Sequence, residues 1–289
     1  MRHVLTIADI PAIDIHDIIR IAKQRNGAYP PLLAGKSVGM IFEKPSNRTR
    51  LSFEVGIHRM GGQAVYIQGS DVQIGDREPV SHVSRVMSRY FDAIVYRTTS
   101  HSRLKEFAQY SAIPVINGLS NVAHPCQAIA DALTIHDCFD GFESVYMVYI
   151  GDGNNVCRSL MAIATACGFK MAVVCPKAYQ PEWVPPGVVV TDTIDSVIHN
   201  ATVLYTDVWT SMGSEDEQGD RARVFSSYQV NESVMRRAQK GAIFLHCLPA
   251  NMGQEVTEAV FESPASKVFD QAENRMHAQN AILEWVMKG

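Results

Sequence analysis

The chain has 289 residues, of which 46% are hydrophobic and 19% charged, so it is long enough for about two domains and is not a disordered protein. The formal net charge of -4 excludes an extended nucleic-acid-binding surface, so any anion site must be local. No stretch approaches the roughly 20 apolar residues of a membrane span, no targeting segment is visible, and the six cysteines show no paired short spacing. These features predict a cytoplasmic protein with reduced thiols and without nucleic-acid or membrane partners.

The first half of the chain alternates helical and strand patterns. An amphipathic helix within residues 5–25 places one set of apolar side chains on a common face: Ile10, Ile13, Ile15, Ile18, Ile19 and Ala22. Strands are predicted at residues 38–42, 63–67, 93–96 and 114–116, and helices from 46 to the Gly61-Gly62 pair and at 79–89, 103–110 and 125–138. Such alternation predicts βαβ units around a parallel sheet, so residues 1–135 are expected to form one doubly wound domain.

The same pattern starts again in the second half. Strands are predicted at residues 144–150, 171–175, 188–190, 202–205 and 242–246, and a helix follows the Gly151-Asp152-Gly153-Asn154-Asn155 turn and ends at Cys167. Residues 136–271 are therefore expected to form a second doubly wound domain, and residues 272–289 an amphipathic C-terminal helix. The predicted fold class is α/β, with two doubly wound parallel-sheet domains.

A helix start that directly follows a strand end marks the first candidate site. Pro45 breaks the strand at 38–42, and Ser46 is a suitable N-cap for a helix. The apolar side chains expected to anchor that helix in the core are Leu51, Phe53 and Val55. Exposed N–H groups, the helix dipole and two arginines, Arg48 and Arg50, favour an anion there. The alternative is that both arginines are solvated or paired with Glu43 and Glu54.

Two further motifs allow other kinds of chemistry. Gly151-Asp152-Gly153 after a strand suggests a dinucleotide site, but Val156 stands where that motif needs its third glycine. His246-Cys247 after the last strand allows a nucleophile with its base or a pair of zinc ligands. Adjacent side chains on an extended chain point to opposite sides, and further close-spaced ligands are lacking, so no metal site is predicted.

Residues 42–54 resemble the carbamoyl-phosphate signature of the aspartate/ornithine carbamoyltransferase family, with Asn47 where that family usually has Thr. Phe42-Glu43-Lys44-Pro45 is similar to the ornithine branch. Three more segments resemble family signatures in the same order: His124-Pro125-Cys126-Gln127, Asp207 with Ser211-Met212-Gly213, and His246-Cys247-Leu248-Pro249. Glu273-Asn274-Arg275 completes the series, so the resemblance covers nearly the whole chain. Ser81-His82 departs from the family, which more often carries an acidic residue there.

The resemblance implies a set of substrate contacts. Those implied for carbamoyl phosphate are Ser46, Asn47, Arg48, Thr49, Arg50, Gln73, Arg97, His124, Gln127, Cys247, Leu248 and Arg275. Those implied for ornithine are Asn155, Asp207, Ser211 and Met212, with Asp207 on the amine. The residues expected to act in catalysis are Arg48, Arg97, His124, Asp207 and Cys247. Without the resemblance, Gln73 is equally well explained as a solvated loop residue, and Asn154 is expected to hold its turn.

The implied reaction is transfer of the carbamoyl group of carbamoyl phosphate to the δ-amine of L-ornithine, as in arginine biosynthesis. It needs no metal or organic cofactor. The resemblance also implies a homotrimer and a C-terminal helix that crosses back onto the first domain. Two alternatives remain: a carbamoyltransferase for another amine such as putrescine, which should lack Ser211-Met212-Gly213, and a non-catalytic phosphate-metabolite-binding subunit, which should lack His124, Gln127 or Cys247.

Overall fold

Two parallel sheets organise the chain, one in each of the two units into which it divides. The computed structural model describes residues 1–25, 27–210 and 218–288. The first unit comprises Met1–Leu133 and Glu273–Gly289, and the second comprises Thr134–Ala272. Parallel sheets flanked by helices confirm the predicted α/β class, and every predicted strand overlaps an observed one. Among the described residues, none of the helices combines the length and apolar character needed to span a membrane.

The first unit contains a four-stranded sheet. Its strands are β1 (Ser37–Phe42), β2 (Gln63–Gln68), β3 (Ala93–Arg97) and β4 (Val115–Leu119), in the order β2-β1-β3-β4. Its helices are α1 (Ala12–Arg25), α2 (Asn47–Arg59), α3 (Gly69–Val72), α4 (Val80–Tyr90) and α5 (His101–Tyr110), and α6 (Pro125–Phe139) supplies residues to both units. The inner strands β1 and β3 are buried almost throughout, which explains their nearly continuous apolar sequence.

The second unit contains a five-stranded sheet. Its strands are β5 (Tyr146–Ile150), β6 (Lys170–Val174), β7 (Val189–Thr191), β8 (Val203–Thr206) and β9 (Ile243–His246), in the order β7-β6-β5-β8-β9. Its helices are α7 (Asn155–Cys167), α8 (Gln218–Phe225), α9 (Glu232–Arg237) and α10 (Glu258–Phe261), and α11 (Val268–Met287) supplies residues to both units. The central strand β5 pairs with β6 and β8, so the loops after β5 and β8 leave the same edge of the sheet.

Helix α2 begins as predicted but buries a different face. Ser46 is its N-cap, and Phe53 and Ile57, one turn apart, are fully buried. Leu51 and Val55 are 50% and 42% exposed, so their predicted place in the core is wrong. Each lies two residues from Phe53, which rotates it by about 200° around the helix and onto the opposite face.

The structure differs from the sequence prediction at three other helices. Ile13 is 71% exposed, unlike the other apolar residues predicted to share its face, because it lies in the first turn of α1, on the side away from Ile15, Ile18 and Ile19. Residues 69–72 form the short helix α3 directly before Gln73, which was expected to lie in a loop. The C-terminal helix starts at Val268, four residues before its predicted start, and Val268 is buried in the hydrophobic core of the second unit.

Candidate active site

The N-terminus of α2 lies close to the end of β1. The Ser46 Oγ accepts a hydrogen bond from the Thr49 N–H at 3.4 Å, which leaves other first-turn N–H groups directed outward. The Arg50 side chain turns away from that N-terminus, because its Nε binds Glu54 Oε2 at 3.1 Å and its guanidinium lies 4.0 Å above the Tyr66 ring. For Arg50 the alternative interpretation, pairing with Glu54, therefore describes the structure, and a phosphate contact by its guanidinium stays a prediction.

Two buried arginines converge on one hydroxyl group. The Thr49 Oγ1 accepts hydrogen bonds from Arg97 Nη1 at 3.4 Å and from Arg275 Nη2 at 3.1 Å. All three residues are buried, and Arg48 is close enough for its charge to act on Arg97. Burial, with the charges of Arg275 and Arg48, lowers the pKa of Arg97 to about 10. Such a concentration of positive charge is unfavourable unless an anion compensates it.

His124 lies beside the same arginines at the start of α6. Burial, with the charges of Arg275, Arg97 and Arg48, lowers the pKa of His124 well below its ordinary value. Its imidazole is therefore neutral near pH 7 and carries one N–H donor and one acceptor nitrogen. A neutral donor held among guanidinium groups is suited to a carbonyl oxygen that gains negative charge.

Gln127 is oriented by its neighbours at both ends of its amide. Its Oε1 accepts a short hydrogen bond from Arg275 Nη1, and its Nε2 donates to Asp131 Oδ1 at 2.7 Å. Asp131 is fully buried one turn further along α6. Asp131 was not predicted as a site residue, although a carboxylate within the apolar part of that helix is a detectable signal. A carbonyl oxygen has two lone pairs, so Gln127 Oε1 keeps capacity for a further donor.

In the second unit, a buried carboxylate joins the ends of three segments. Asp207, directly after β8, accepts hydrogen bonds from Asn154 Nδ2 at 2.8 Å and from Cys247 Sγ at 2.9 Å. Asn154 is also the N-cap of α7, so its predicted role in holding the turn is confirmed. Its bond to Asp207 was not predicted. Asn155 Oδ1 accepts from the Val156 N–H at 3.1 Å, and its contact with an amino acid stays a prediction.

The segment after β9 is held by His246. Its Nδ1 accepts a hydrogen bond from the Leu248 N–H at 2.8 Å, which makes Nε2 the donor to Glu255 Oε1 at 3.1 Å. Leu248 adopts a left-handed conformation with φ 61°, so the chain turns sharply after Cys247. The strand rule for side-chain direction does not extend to Cys247, because β9 ends at His246.

One consequence of this turn concerns metal binding. Potential ligand atoms of Asp207, His246 and Cys247 lie within 4.8 Å of one another. Asp207 comes from a different strand end, so the fold adds a potential ligand that the close-spaced sequence pattern could not show, and the absence of a bound metal stays a prediction. Both ring nitrogens of His246 already make hydrogen bonds, so a metal ion would have to displace the Leu248 N–H or Glu255.

A buried ion pair joins helix α8 to the turn after β5. Arg221 Nη1, on α8, binds Asp152 Oδ2 at 2.8 Å and the carbonyl oxygen of Trp209 at 2.9 Å. The Arg221 guanidinium also lies 4.7 Å from the Tyr179 ring centroid. One guanidinium thus connects the turn after β5, the segment after β8 and helix α8.

The remaining predicted contacts are placed as follows. Gln73 is exposed and left-handed, with φ 51°, at the end of α3. Asn47 is the exposed first residue of α2. Ser211 and Met212, with Gly213, lie outside the described residues.

Comparisons with known proteins agree on one family. Its carbamoyl-P binding domain, described as aspartate/ornithine carbamoyltransferase, matches residues 2–137, and its Asp/Orn binding domain matches residues 143–286. A relative from Methanothermobacter thermautotrophicus named ornithine carbamoyltransferase is 46% identical over 99% of this chain and 99% of its own. One of that name from Halalkalibacterium halodurans is 44% identical over 100% and 96%. The solved ornithine carbamoyltransferase of Pyrococcus furiosus, 42% identical, covers 100% of this chain and 97% of its own with a TM-score of 0.95. That of Thermus thermophilus, 37% identical, covers 99% of each with a TM-score of 0.92.

Proposed function

The chain belongs to the aspartate/ornithine carbamoyltransferase family, and we propose that it transfers the carbamoyl group of carbamoyl phosphate to the δ-amine of L-ornithine. The products are L-citrulline and phosphate. Relatives of that name cover essentially the whole chain, and neither of the two alternatives is favoured by any of them.

The observation that carries the proposal is the buried positive charge of the first unit. Arg97 and Arg275 share the Thr49 hydroxyl, and Arg48 adds a third guanidinium whose charge acts on Arg97. A phosphate group would bring negative charge to these guanidinium groups and raise the pKa of Arg97 toward its ordinary value. The N-terminus of α2, capped by Ser46, adds backbone N–H donors of the kind that bind phosphate.

Neutral groups beside the arginines suit the carbamoyl end of the substrate. His124 donates an N–H to the carbonyl oxygen, where negative charge collects as the amine attacks. Gln127 Oε1, fixed by Arg275 and through Nε2 by Asp131, accepts from the carbamoyl NH₂ and sets its orientation. The guanidinium groups stabilise the departing phosphate.

The second unit supplies the amino-acid contacts in this proposal. Asp207 accepts an N–H of the δ-amine, and Cys247 lies beside that amine with its Sγ–H directed to Asp207. Asn155, with Ser211 and Met212, binds the α-amino and carboxylate groups. The amine nitrogen bonds to the carbamoyl carbon, the bond from that carbon to the phosphate oxygen breaks, and phosphate leaves with the electron pair. The proton lost by the amine goes to phosphate or solvent.

Several finer features belong to the same proposal. A homotrimer and a role in arginine biosynthesis follow from the family resemblance, and a cytoplasmic location follows from the scattered cysteines. No cofactor is needed, because the phosphate is already an activated leaving group. A mass three times that of the chain in light scattering tests the trimer.

The central test is a citrulline assay with ornithine and putrescine as competing amines. Putrescine lacks the α-carboxylate, and each buried polar group that it leaves unpaired costs about 1–3 kcal/mol. Two or three such groups predict that kcat/KM favours ornithine by roughly a hundredfold or more. Asp207→Asn should lower kcat with either amine. Ser211→Ala should reduce the ratio of kcat/KM for ornithine to kcat/KM for putrescine. Equal rates with putrescine would assign the chain to another amine.

A further inference from the structure

Glu43, the residue directly after β1, accepts three side-chain hydrogen bonds. Its carboxylate is only 15% exposed. Oε1 accepts from the Tyr96 hydroxyl at 2.5 Å and from Arg103 Nη1 at 3.1 Å, and Oε2 accepts from Thr98 Oγ1 at 2.5 Å. The Glu43 backbone N–H donates to the Arg97 carbonyl oxygen at 3.0 Å. Glu43 is thus bonded to three consecutive residues at the end of β3, Tyr96 to Thr98, and to Arg103 in the first turn of α5.

The bonds of Glu43 surround Arg97. Tyr96 and Thr98 both direct their hydroxyl groups to the Glu43 carboxylate, whereas the Arg97 side chain between them is directed to Thr49. Glu43 holds both flanking residues and the Arg97 carbonyl, while the Arg97 guanidinium reaches Thr49. The direction in which the Arg97 guanidinium extends therefore depends on how rigidly Glu43 holds the backbone at the end of β3.

A third segment packs on the same group. A Cβ atom at Gly69 would lie 2.7 Å from the Cα of Glu43, and one at Gly75 would lie 3.3 Å from Nε of Arg103. Arg103 Nη2 also lies 3.9 Å from Asp76 Oδ1. The segment that carries Gln73 thus begins against Glu43 and ends against its partner Arg103.

We propose that Glu43 is a positioning residue for carbamoyl phosphate. It fixes, in one arrangement, the three segments that carry Ser46–Arg50, Arg97 and Gln73, although it touches none of the substrate. This inference rests on the proposed function. A carboxylate suits the position because its neighbours present two hydroxyl donors and a guanidinium, and an ionised carboxyl group only accepts. A glutamine would direct N–H donors toward those donors.

The test compares Glu43→Gln and Thr98→Val with a matched control, Glu284→Gln. Glu284 is another mostly buried carboxylate of the first unit, 4% exposed and bonded to Arg25 at 3.1 Å and Lys288 at 2.6 Å. The first readout is the calorimetric Kd of inorganic phosphate, which needs no turnover. The second is the KM for carbamoyl phosphate and for ornithine, each at saturation of the other substrate, with Tm measured for every variant.

We expect Glu43→Gln to weaken phosphate binding about tenfold and Thr98→Val about threefold, with parallel increases in the KM for carbamoyl phosphate and less than about twofold change for ornithine. Glu284→Gln should lower Tm without changing the phosphate Kd. Phosphate affinity within twofold of the parent in every folded Glu43 and Thr98 variant would overturn the inference, as would an equal loss in Glu284→Gln. If Glu43→Gln does not fold, Thr98→Val decides. A parent enzyme that binds phosphate but forms no citrulline would instead contradict the proposed function.

Discussion

Replacing Arg97 by methionine should raise the free energy of unfolding of the ligand-free protein. The same replacement should weaken phosphate binding. The Arg97 guanidinium is 6% exposed, and burial with the charges of Arg275 and Arg48 lowers its pKa from 12.5 to about 10. That difference in pKa corresponds to roughly 3 kcal/mol of unfavourable free energy for the charged form. Because the pKa is lowered on folding, this cost is present in full below about pH 10 and disappears only as the pH rises toward 12.5.

The gain is offset by the contacts that Arg97 makes. Among these contacts is a hydrogen bond to Thr49 Oγ1, which is long, at 3.4 Å, and contributes about 1 kcal/mol. Methionine keeps the unbranched aliphatic stem, so little packing is lost. We therefore expect Arg97→Met to raise the free energy of unfolding by roughly 1–2 kcal/mol at pH 7.5.

Phosphate should reverse this order. At a hundred times its Kd, a ligand that binds only the folded state stabilises it by about 2.7 kcal/mol. The parent gains this stabilisation, whereas Arg97→Met, with a guanidinium missing from the cluster, gains much less. The saturated parent should then be the more stable of the two.

The assay is urea unfolding with and without phosphate, using Arg85→Met as the control. Arg85 is an exposed arginine on α4, 5.1 Å from the Tyr110 ring, and its replacement should change stability by less than about 0.5 kcal/mol. A ligand-free Arg97→Met less stable than the parent, or equal stabilisation of both by phosphate, would refute the reasoning.

Three more predictions follow from the site. Asp131→Ala removes the acceptor of Gln127 Nε2, so kcat/KM for carbamoyl phosphate should fall about tenfold. The phosphate Kd should stay within about twofold of the parent value. Loss of phosphate affinity would contradict an effect confined to the carbamoyl end of the substrate. The rate at subsaturating ornithine should rise from about pH 6 to 9, because a lysine-like amine with pKa near 10.4 costs roughly 5 kcal/mol to deprotonate at pH 7; a flat profile with chemistry rate-limiting would exclude attack by the neutral amine. Dialysis against EDTA should leave activity unchanged, since both ring nitrogens of His246 are bonded; a loss restored by Zn²⁺ would instead establish a metal centre with Asp207 and Cys247.

The strands could be predicted more accurately than the helix faces, for a physical reason. Inner strands of a parallel sheet are buried on both sides, so an apolar run such as that of β1 identifies them without knowledge of their neighbours. Helix α2 carries apolar residues on two sides, Phe53 with Ile57 and Leu51 with Val55. The sequence offers nothing to decide between two such faces, because only the packed sheet determines which one is covered.

The site divides in a similar way. Positions at strand ends, such as Arg97 as the last residue of β3 and Asp207 directly after β8, could be predicted because each parallel sheet brings its own strand ends to one edge. Their roles came from the family resemblance. The supporting carboxylate Glu255 was missed because only the fold brings it within reach of His246. Asp131 was missed although it lies one turn from Gln127 on the same helix, a spacing that the sequence shows. Arg50 is the opposite case. It belongs to the recognised signature, but its guanidinium pairs with Glu54, one turn along its own helix.

The Arg221 ion pair bears on how the amine preference of such proteins can diverge. Because Arg221 binds both Asp152 and the Trp209 carbonyl, positions 209 and 221 are fixed to the same point of the second unit. Closing a loop costs entropy that grows slowly, with only about 0.6 kcal/mol added when the loop doubles in length. Insertions, deletions and exchanges between these positions should therefore leave β8 and Asp207 in place. If Ser211 and Met212 bind the amino acid as proposed, a lineage can change the amine that it selects while its carbamoyl-phosphate residues, all outside this segment, stay the same.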